Sequence, residues 1–121
     1  MKRWAIALVL CPVLVVALAA CGAASSAGPN DVHMSGDSFA KQTVTIAKGE
    51  RITLIADGFV PHVIHNGTSS HPQREPGAPD VNNLHIDGGS SATIGPFTTA
   101  GTFAFYCSLH PGMELSVTVR E

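Results

Sequence analysis

The strand–loop–strand pattern near the end of the chain constrains the fold more than any other feature. Residues 101–107 alternate, with Phe103, Phe105 and Cys107 on one face, and a second alternating run covers residues 115–119. Alternation with a period of two is typical of strands that bury one face. Only residues 108–114 separate the two runs. We therefore predict two strands joined by a tight loop.

The other predicted strands are short and are separated by turn residues. They cover residues 31–34, 43–46, 51–56, 61–65, 84–86 and 92–94. Turn signals such as Gly49, Gly58 and Gly67 lie between them. The proline-rich residues 68–83 have no periodicity and are expected to form a surface loop. Many short strands with Gly and Pro turns favour an all-β fold, an antiparallel β-sandwich.

The first twenty residues have the pattern of an export signal. A basic start, Met1-Lys2-Arg3, precedes an apolar stretch that ends in small residues. Residues 18–21, Leu-Ala-Ala-Cys, resemble the lipobox of bacterial lipoproteins. That resemblance implies cleavage before Cys21 and a lipid on its sulfur, which would hold the protein at the outer face of the cytoplasmic membrane or in the periplasm. The alternative is an ordinary signal peptide in which Cys21 is incidental.

The mature chain would contain a short linker and one domain. Residues 21–30 are small, polar and flexible, and residues 31–121 are long enough for one core. Removal of residues 1–20 leaves five Lys+Arg against nine Asp+Glu, a formal charge of −4. This acidic balance argues against a nucleic-acid partner. If Cys21 carries lipid, Cys107 has no disulfide partner, and a metal would explain a lone thiol in an oxidising compartment.

The predicted loop carries three donor types at close spacing. Cys107, His110 and Met113 offer a thiolate, an imidazole and a thioether. These are the donors of a mononuclear blue-copper site, which must hold both the softer Cu(I) and the harder Cu(II). The spacing allows one short loop to carry all three donors. A second imidazole must come from elsewhere in the chain.

Other interpretations of Cys107 remain open. A free cysteine is commonly a small buried residue. Zinc accepts Cys and His but rarely Met, and nucleophilic catalysis by Cys107 with His110 lacks a group to orient the imidazole. Attached haem c and a dinuclear copper centre would each require a second cysteine in this loop.

His62 is the best candidate for the second imidazole. It follows Pro61 at the start of a strand, where an antiparallel neighbour of the strand ending at Cys107 should begin. His65 lies three residues further on and points to the opposite face. His71 and His85 are weaker alternatives. His33-Met34 could be an auxiliary copper contact, although a pair of edge-strand residues is the simpler interpretation.

Several segments resemble the plastocyanin/azurin-type cupredoxins. They are residues 43–53, Pro61-His62 and residues 101–113, whose Cys-x2-His-x2-Met spacing is similar to an amicyanin ligand loop. The resemblance implies a Greek-key sandwich with one type 1 copper ion at one pole. It further implies His62, Cys107 and His110 as equatorial ligands and Met113 as the axial ligand. Glu114 after the methionine and Val63 after the first histidine depart from the family pattern.

A metal enclosed by four protein donors favours electron transfer over catalysis, so we do not expect an enzyme. The resemblance implies that redox partner proteins dock near His110, and we expect a monomer. The main alternative function is extracytoplasmic copper storage or delivery. The chain has only three methionines, which disfavours the Met-rich tracts expected of copper handling. A plain structural sandwich without metal is the third possibility.

Overall fold

The computed structural model describes residues 28–121. The predicted signal peptide, the predicted lipidation site Cys21 and most of the predicted linker lie outside the described residues. Residues 28–121 contain no helix that could serve as a membrane span.

Residues 28–121 form a β-sandwich of nine strands. The strands are β1 (Asp31–Ser35), β2 (Ser38–Phe39), β3 (Thr43–Ala47), β4 (Ile52–Ala56), β5 (His62–Asn66), β6 (Leu84–Ile86), β7 (Ser91–Ile94), β8 (Gly101–Cys107) and β9 (Glu114–Arg120). Eight of them match the predicted runs within two residues at each end. The two-residue β2 was missed because it is too short to show alternation.

Two mixed sheets make the sandwich. One has the order β2-β1-β4-β7 and the other the order β3-β9-β8-β5-β6. The all-β sandwich is therefore confirmed. The pairs β1–β4 and β3–β9 are parallel, whereas the other pairs are antiparallel. Alternation along one strand shows which face is buried but not the direction of its neighbour, so the sequence did not reveal the parallel pairs.

The core lies between the sheets and follows the alternation. In β8 the buried residues are Phe103, Phe105 and Cys107, as predicted. Phe97, which is fully buried, contacts both aromatic rings, with centroids 6.2 Å from Phe103 and 6.0 Å from Phe105. Val117 of β9 is also fully buried. Burial of these large apolar side chains is the main stabilising term.

The strand directions define two poles. Strands β5 and β8 are antiparallel, and Ile64 near the start of β5 pairs with Cys107 at the end of β8. The loop before β5 (residues 57–61) and the loop after β8 (residues 108–113) therefore lie at the same end of the sandwich, called the upper pole below. The lower pole carries the start of β1, since Asp31 pairs with Thr53 near the start of β4. The described chain therefore enters at the lower pole and places residues 108–113 at the upper pole.

Candidate metal centre

Cys107 ends β8 at the upper pole. Its side chain is only 2% exposed, and its backbone N–H donates to the Met113 carbonyl at 3.0 Å. This bond closes residues 108–113 into a tight loop, called the ligand loop below. Cys107 pairs with Ile64 of β5. Since directly paired residues share a face of the sheet, the thiol points into the sandwich.

His62 approaches the thiol from the first residue of β5. Two residues before Ile64, it has the same parity and projects to the same face as Cys107. The imidazole is fully buried, and its Nδ1 lies 3.9 Å from Cys107 Sγ. The strand register thus brings together two residues that are 45 positions apart in the chain.

His110 completes a group of three donors. Its Nδ1 lies 3.4 Å from Cys107 Sγ, and its ring centroid lies 5.1 Å from that of His62. The donor atoms of His62, Cys107 and His110 all lie within 4.8 Å of one another. Imidazole nitrogens and thiolate sulfurs bind a metal at about 2.0–2.3 Å, so two ligands of one ion lie roughly 3–4 Å apart. The observed sulfur–nitrogen separations fit that requirement. His110 is half-buried, whereas the other two residues are buried.

The electrostatics of the group favour neutral imidazole. Burial lowers the pKa of His62 below its usual value, and the charge of His110 lowers it further. Metal binding requires the unprotonated ring. The Nε2 atom of His62 is buried and has no hydrogen-bond partner within residues 28–121. On the sulfur side, the backbone N–H of Val63 donates to Cys107 Sγ at 3.5 Å, which stabilises negative charge on the thiolate.

Met113 is the last residue of the ligand loop. Its side chain is 2% exposed, and its backbone N–H donates to the His110 carbonyl at 3.2 Å. Together with the bond from Cys107 N–H to the Met113 carbonyl, this joins the Met113 backbone to the backbones of both other donor residues of the loop. A thioether buried at this position is a chemically suitable weak fourth donor for copper.

The remaining histidines lie outside the group. His65 points to the other face, where it stacks on Tyr106 with ring centroids 5.4 Å apart. His33 contacts the Asp57 carboxylate at 3.0 Å. His71 and His85 are exposed, in the long loop and on β6 respectively. Among residues 28–121, the one group of three His, Cys, Asp or Glu donors close enough to share an ion is His62, Cys107 and His110.

Some contributors to the site were not predicted. The Val63 backbone N–H reaches the thiol because of the β5–β8 register, which the sequence does not display. Glu114, directly after the ligand loop, accepts a hydrogen bond from the Ser69 hydroxyl. His65 is hydrogen-bonded to Ser108 within the ligand loop. The unusual glutamate after the methionine was the only available signal for these contacts.

Comparison with known proteins gives a consistent result. Residues 27–120 match the model of the copper-binding plastocyanin/azurin family. Among solved structures, the chain is similar to a reduced amicyanin variant (TM-score 0.63, 20% identity, covering 81% of this chain and 88% of that one). It is also similar to amicyanin from Paracoccus versutus (Thiobacillus versutus), with a TM-score of 0.60, 20% identity and coverage of 74% and 79%. Comparison with curated protein sequences gives no significant match.

The family match covers most of the chain, and the structural neighbours share its fold. The donors brought together at the upper pole, one thiol and two imidazoles, are chemically suited to copper rather than to a hard cation. The chain therefore belongs to the plastocyanin/azurin family of copper-binding proteins, and its cofactor is copper.

Proposed function

We propose that the protein is a copper electron carrier held outside the cytoplasm at a membrane surface by lipid on Cys21. The observation that carries the redox part is the convergence of His62, Cys107 and His110 within 4.8 Å, with two of the three residues buried. When bound, copper supplies a one-electron couple between Cu(I) and Cu(II). We assign His62, Cys107 and His110 as the residues that would hold copper strongly and Met113 as the residue that would supply a weak fourth donor.

The protein surroundings suit an electron carrier better than an enzyme. Cys107 and Met113 are each 2% exposed and His62 is fully buried, so the side chains that would hold copper are largely shielded from solvent. Soft sulfur and borderline nitrogen donors together can hold both copper oxidation states. A ligand set fixed by two strands and a closed loop needs to move little between those states. We therefore propose outer-sphere transfer of single electrons and no catalysis.

The half-buried His110 is the proposed port for electrons. Its neighbours in the ligand loop include Leu109, which is 50% exposed, and Pro111, which is also exposed. Phe59, in the neighbouring loop at the same pole, is 98% exposed. Exposed apolar side chains at one pole are typical of protein contact surfaces. A redox partner protein that docks there would come within a short distance of the imidazole edge.

The position of the chain entry supports the proposed tether. Gly28, the first described residue, precedes β1 at the lower pole, and the candidate donors lie at the upper pole. A lipid on Cys21 would therefore hold the domain by the end opposite to His110. The upper pole would then face away from the bilayer and remain accessible to a partner.

Visible absorption after addition of Cu(II) tests the metal centre. We expect an intense copper–thiolate charge-transfer band in the wild type and no such band in Cys107→Ala. Fast electron self-exchange together with retention of copper against a chelator would support electron transfer. Rapid loss of copper to an acceptor protein, without electron exchange, would instead indicate copper delivery.

Fractionation and mass spectrometry test the tether. The full-length protein, expressed in a bacterial host, should be found in the membrane fraction with an acylated Cys21. The variant Cys21→Ala should be soluble or unprocessed. An unmodified Cys21 in the mature wild type would contradict the lipid anchor and leave the copper function intact. Gel filtration of the domain without lipid should show a monomer.

A further inference from the structure

The segment between β5 and β6, residues 67–83, packs beside β5 and β8 of the five-stranded sheet. It begins at Gly67, whose N–H donates to the Ala104 carbonyl at 2.8 Å. Gly67 has a φ of 92°, and a Cβ there would collide with the backbone of His71 and Gln73. The Ala104 N–H in turn donates to the carboxylate of Glu75 at 2.8 Å. The segment, called the long segment below, is thus folded tightly against β8.

The first part of the long segment is fastened to the end of the ligand loop. Glu114 Oε1 accepts two hydrogen bonds from Ser69, one from the backbone N–H at 3.1 Å and one from the hydroxyl at 3.0 Å. Glu114 directly follows Met113 and pairs with Tyr106 across the sheet. Hydrogen bonds to a carboxylate are stronger than neutral ones. Ser69 is therefore held next to the residue that ends the ligand loop.

The last part of the long segment is connected to the beginning of the ligand loop through His65. The Asn83 N–H donates to His65 Nδ1 at 3.2 Å. Because Nδ1 accepts this bond, Nε2 is the ring nitrogen that donates, and it lies 3.2 Å from Ser108 Oγ. Tyr106 stacks against the same ring. Since Ser108 directly follows Cys107, this chain of contacts ends beside the thiol.

Next to the Ser69 attachment, the long segment and the ligand loop line the same open cavity of about 370 Å³. Ser69 is the residue of the long segment that lines it. The residues of the ligand loop that line it are Ser108, His110, Pro111 and Gly112, together with Cys107 at the end of β8. The long segment is therefore close to the loop as well as attached near both of its ends.

We propose that the long segment is a brace that keeps the ligand loop in one conformation, with or without copper. It acts through two clamps, Ser69–Glu114 and Asn83–His65–Ser108, one on each side of residues 109–113. Glu114 and His65 are positioning residues and do not bind the metal. The expected effect of the brace on the rate of electron exchange rests on the electron-transfer function proposed above. The clamps themselves rest on the contacts and do not depend on that function.

Backbone amide hydrogen exchange of the copper-free protein tests the clamps directly. In Glu114→Ala we expect the amides of Ser69 and Met113 to exchange severalfold faster, because both belong to the region that the carboxylate holds. Glu114→Gln keeps an oxygen acceptor of the same length and should restore most of the protection. In His65→Phe, which keeps the stacking on Tyr106, the amides of Asn83 and Ser108 should be the ones that exchange faster.

The copper-loaded variants test the consequence for the centre. Glu114→Ala and His65→Phe should each alter the copper–thiolate absorption and slow electron self-exchange, and the double variant should be slowest by severalfold. Glu75→Gln is the matched control, because Glu75 holds the same segment to Ala104 of β8 rather than to the ligand loop. It should leave the absorption and self-exchange unchanged.

Two results would overturn the brace. One is unchanged amide exchange at Ser69 and Met113 in Glu114→Ala. The other is an identical change of the copper spectrum in Glu75→Gln and Glu114→Ala. If the wild type with copper exchanges no electrons, the proposed function fails. The amide-exchange experiment on the copper-free protein still decides whether the brace exists.

Discussion

The thiol of Cys107 lies 3.9 Å from Nδ1 of His62, although 45 residues separate them in the chain. Pairing of Ile64 with Cys107 fixes this distance, because it places the start of β5 beside the end of β8. The metal centre thus depends on a strand register as much as on the residues of one loop.

Replacing His62 should remove one of the proposed strong ligands. We expect His62→Ala to lose the copper–thiolate charge-transfer band or to bind copper much more weakly, measured by visible absorption and chelator competition. His85→Ala is the matched control, because His85 is exposed on the neighbouring strand β6. A normal spectrum in His62→Ala would contradict the proposed ligand set.

Replacing Met113 by leucine should retain copper and raise the reduction potential. The side chain is buried, and Leu and Met have similar volumes, so the change should cost less than about 1.5 kcal/mol of stability. The potential should rise because a thioether at the proposed fourth position would stabilise Cu(II) more than Cu(I). Electrochemistry of the loaded protein measures this effect. Met34→Leu is the control, because Met34 is buried in the four-stranded sheet, and it should leave the potential unchanged. A colourless Met113→Leu protein would argue against Met113 as the weak fourth donor.

The copper-free protein should lose stability as the pH falls below about 6.5. The pKa of His62 is lowered in the folded state by burial and then by His110, whereas in the unfolded chain it has its ordinary value of about 6.5. Below that pH the unfolded chain takes up a proton that the folded protein excludes, so the free energy of unfolding decreases until the pH reaches the folded pKa. Above about 6.5 this group contributes no slope.

Denaturant unfolding of the copper-free protein at several pH values measures this dependence. His62→Gln removes the titrating imidazole and should show a smaller decrease below pH 6.5. An equal decrease in the variant and the wild type would show that other groups cause the effect.

Truncating the central aromatic residue of the core should destabilise the fold strongly. Phe97 is fully buried and contacts both Phe103 and Phe105. We expect Phe97→Ala to lower the free energy of unfolding by about 3–5 kcal/mol. Phe59→Ala is the control, because that ring is 98% exposed and its loss should change stability by no more than about 0.5 kcal/mol. Similar losses in both variants would contradict the assigned core.

Phe59→Ala also tests the proposed docking surface without disturbing the fold. Phe59 lies in the loop of residues 57–61, at the same pole as His110. Phe59→Ala should therefore keep the copper spectrum, and any effect should appear in the rate of electron transfer to a partner protein.

Much of the fold was predictable because strand signals are local. In β8 and β9, alternation of apolar and other residues gave the strands and their buried faces, and the structure confirms them. The sequence could not show that β1 and β3 pair in parallel with β4 and β9. Those pairings depend on which sheet each strand joins, and no local pattern of residues encodes that choice.

The sequence by itself determined that Cys107, His110 and Met113 share one short loop, since a spacing of three residues between donors is a property of the chain. Only the tertiary structure decided that His62 lies beside the thiol while His65 contacts Ser108 and Tyr106 on the opposite face. The physical reason is that contacts within a loop are set by chain geometry over a few residues. Contacts between strands depend on a register, and the burial of the whole core selects it.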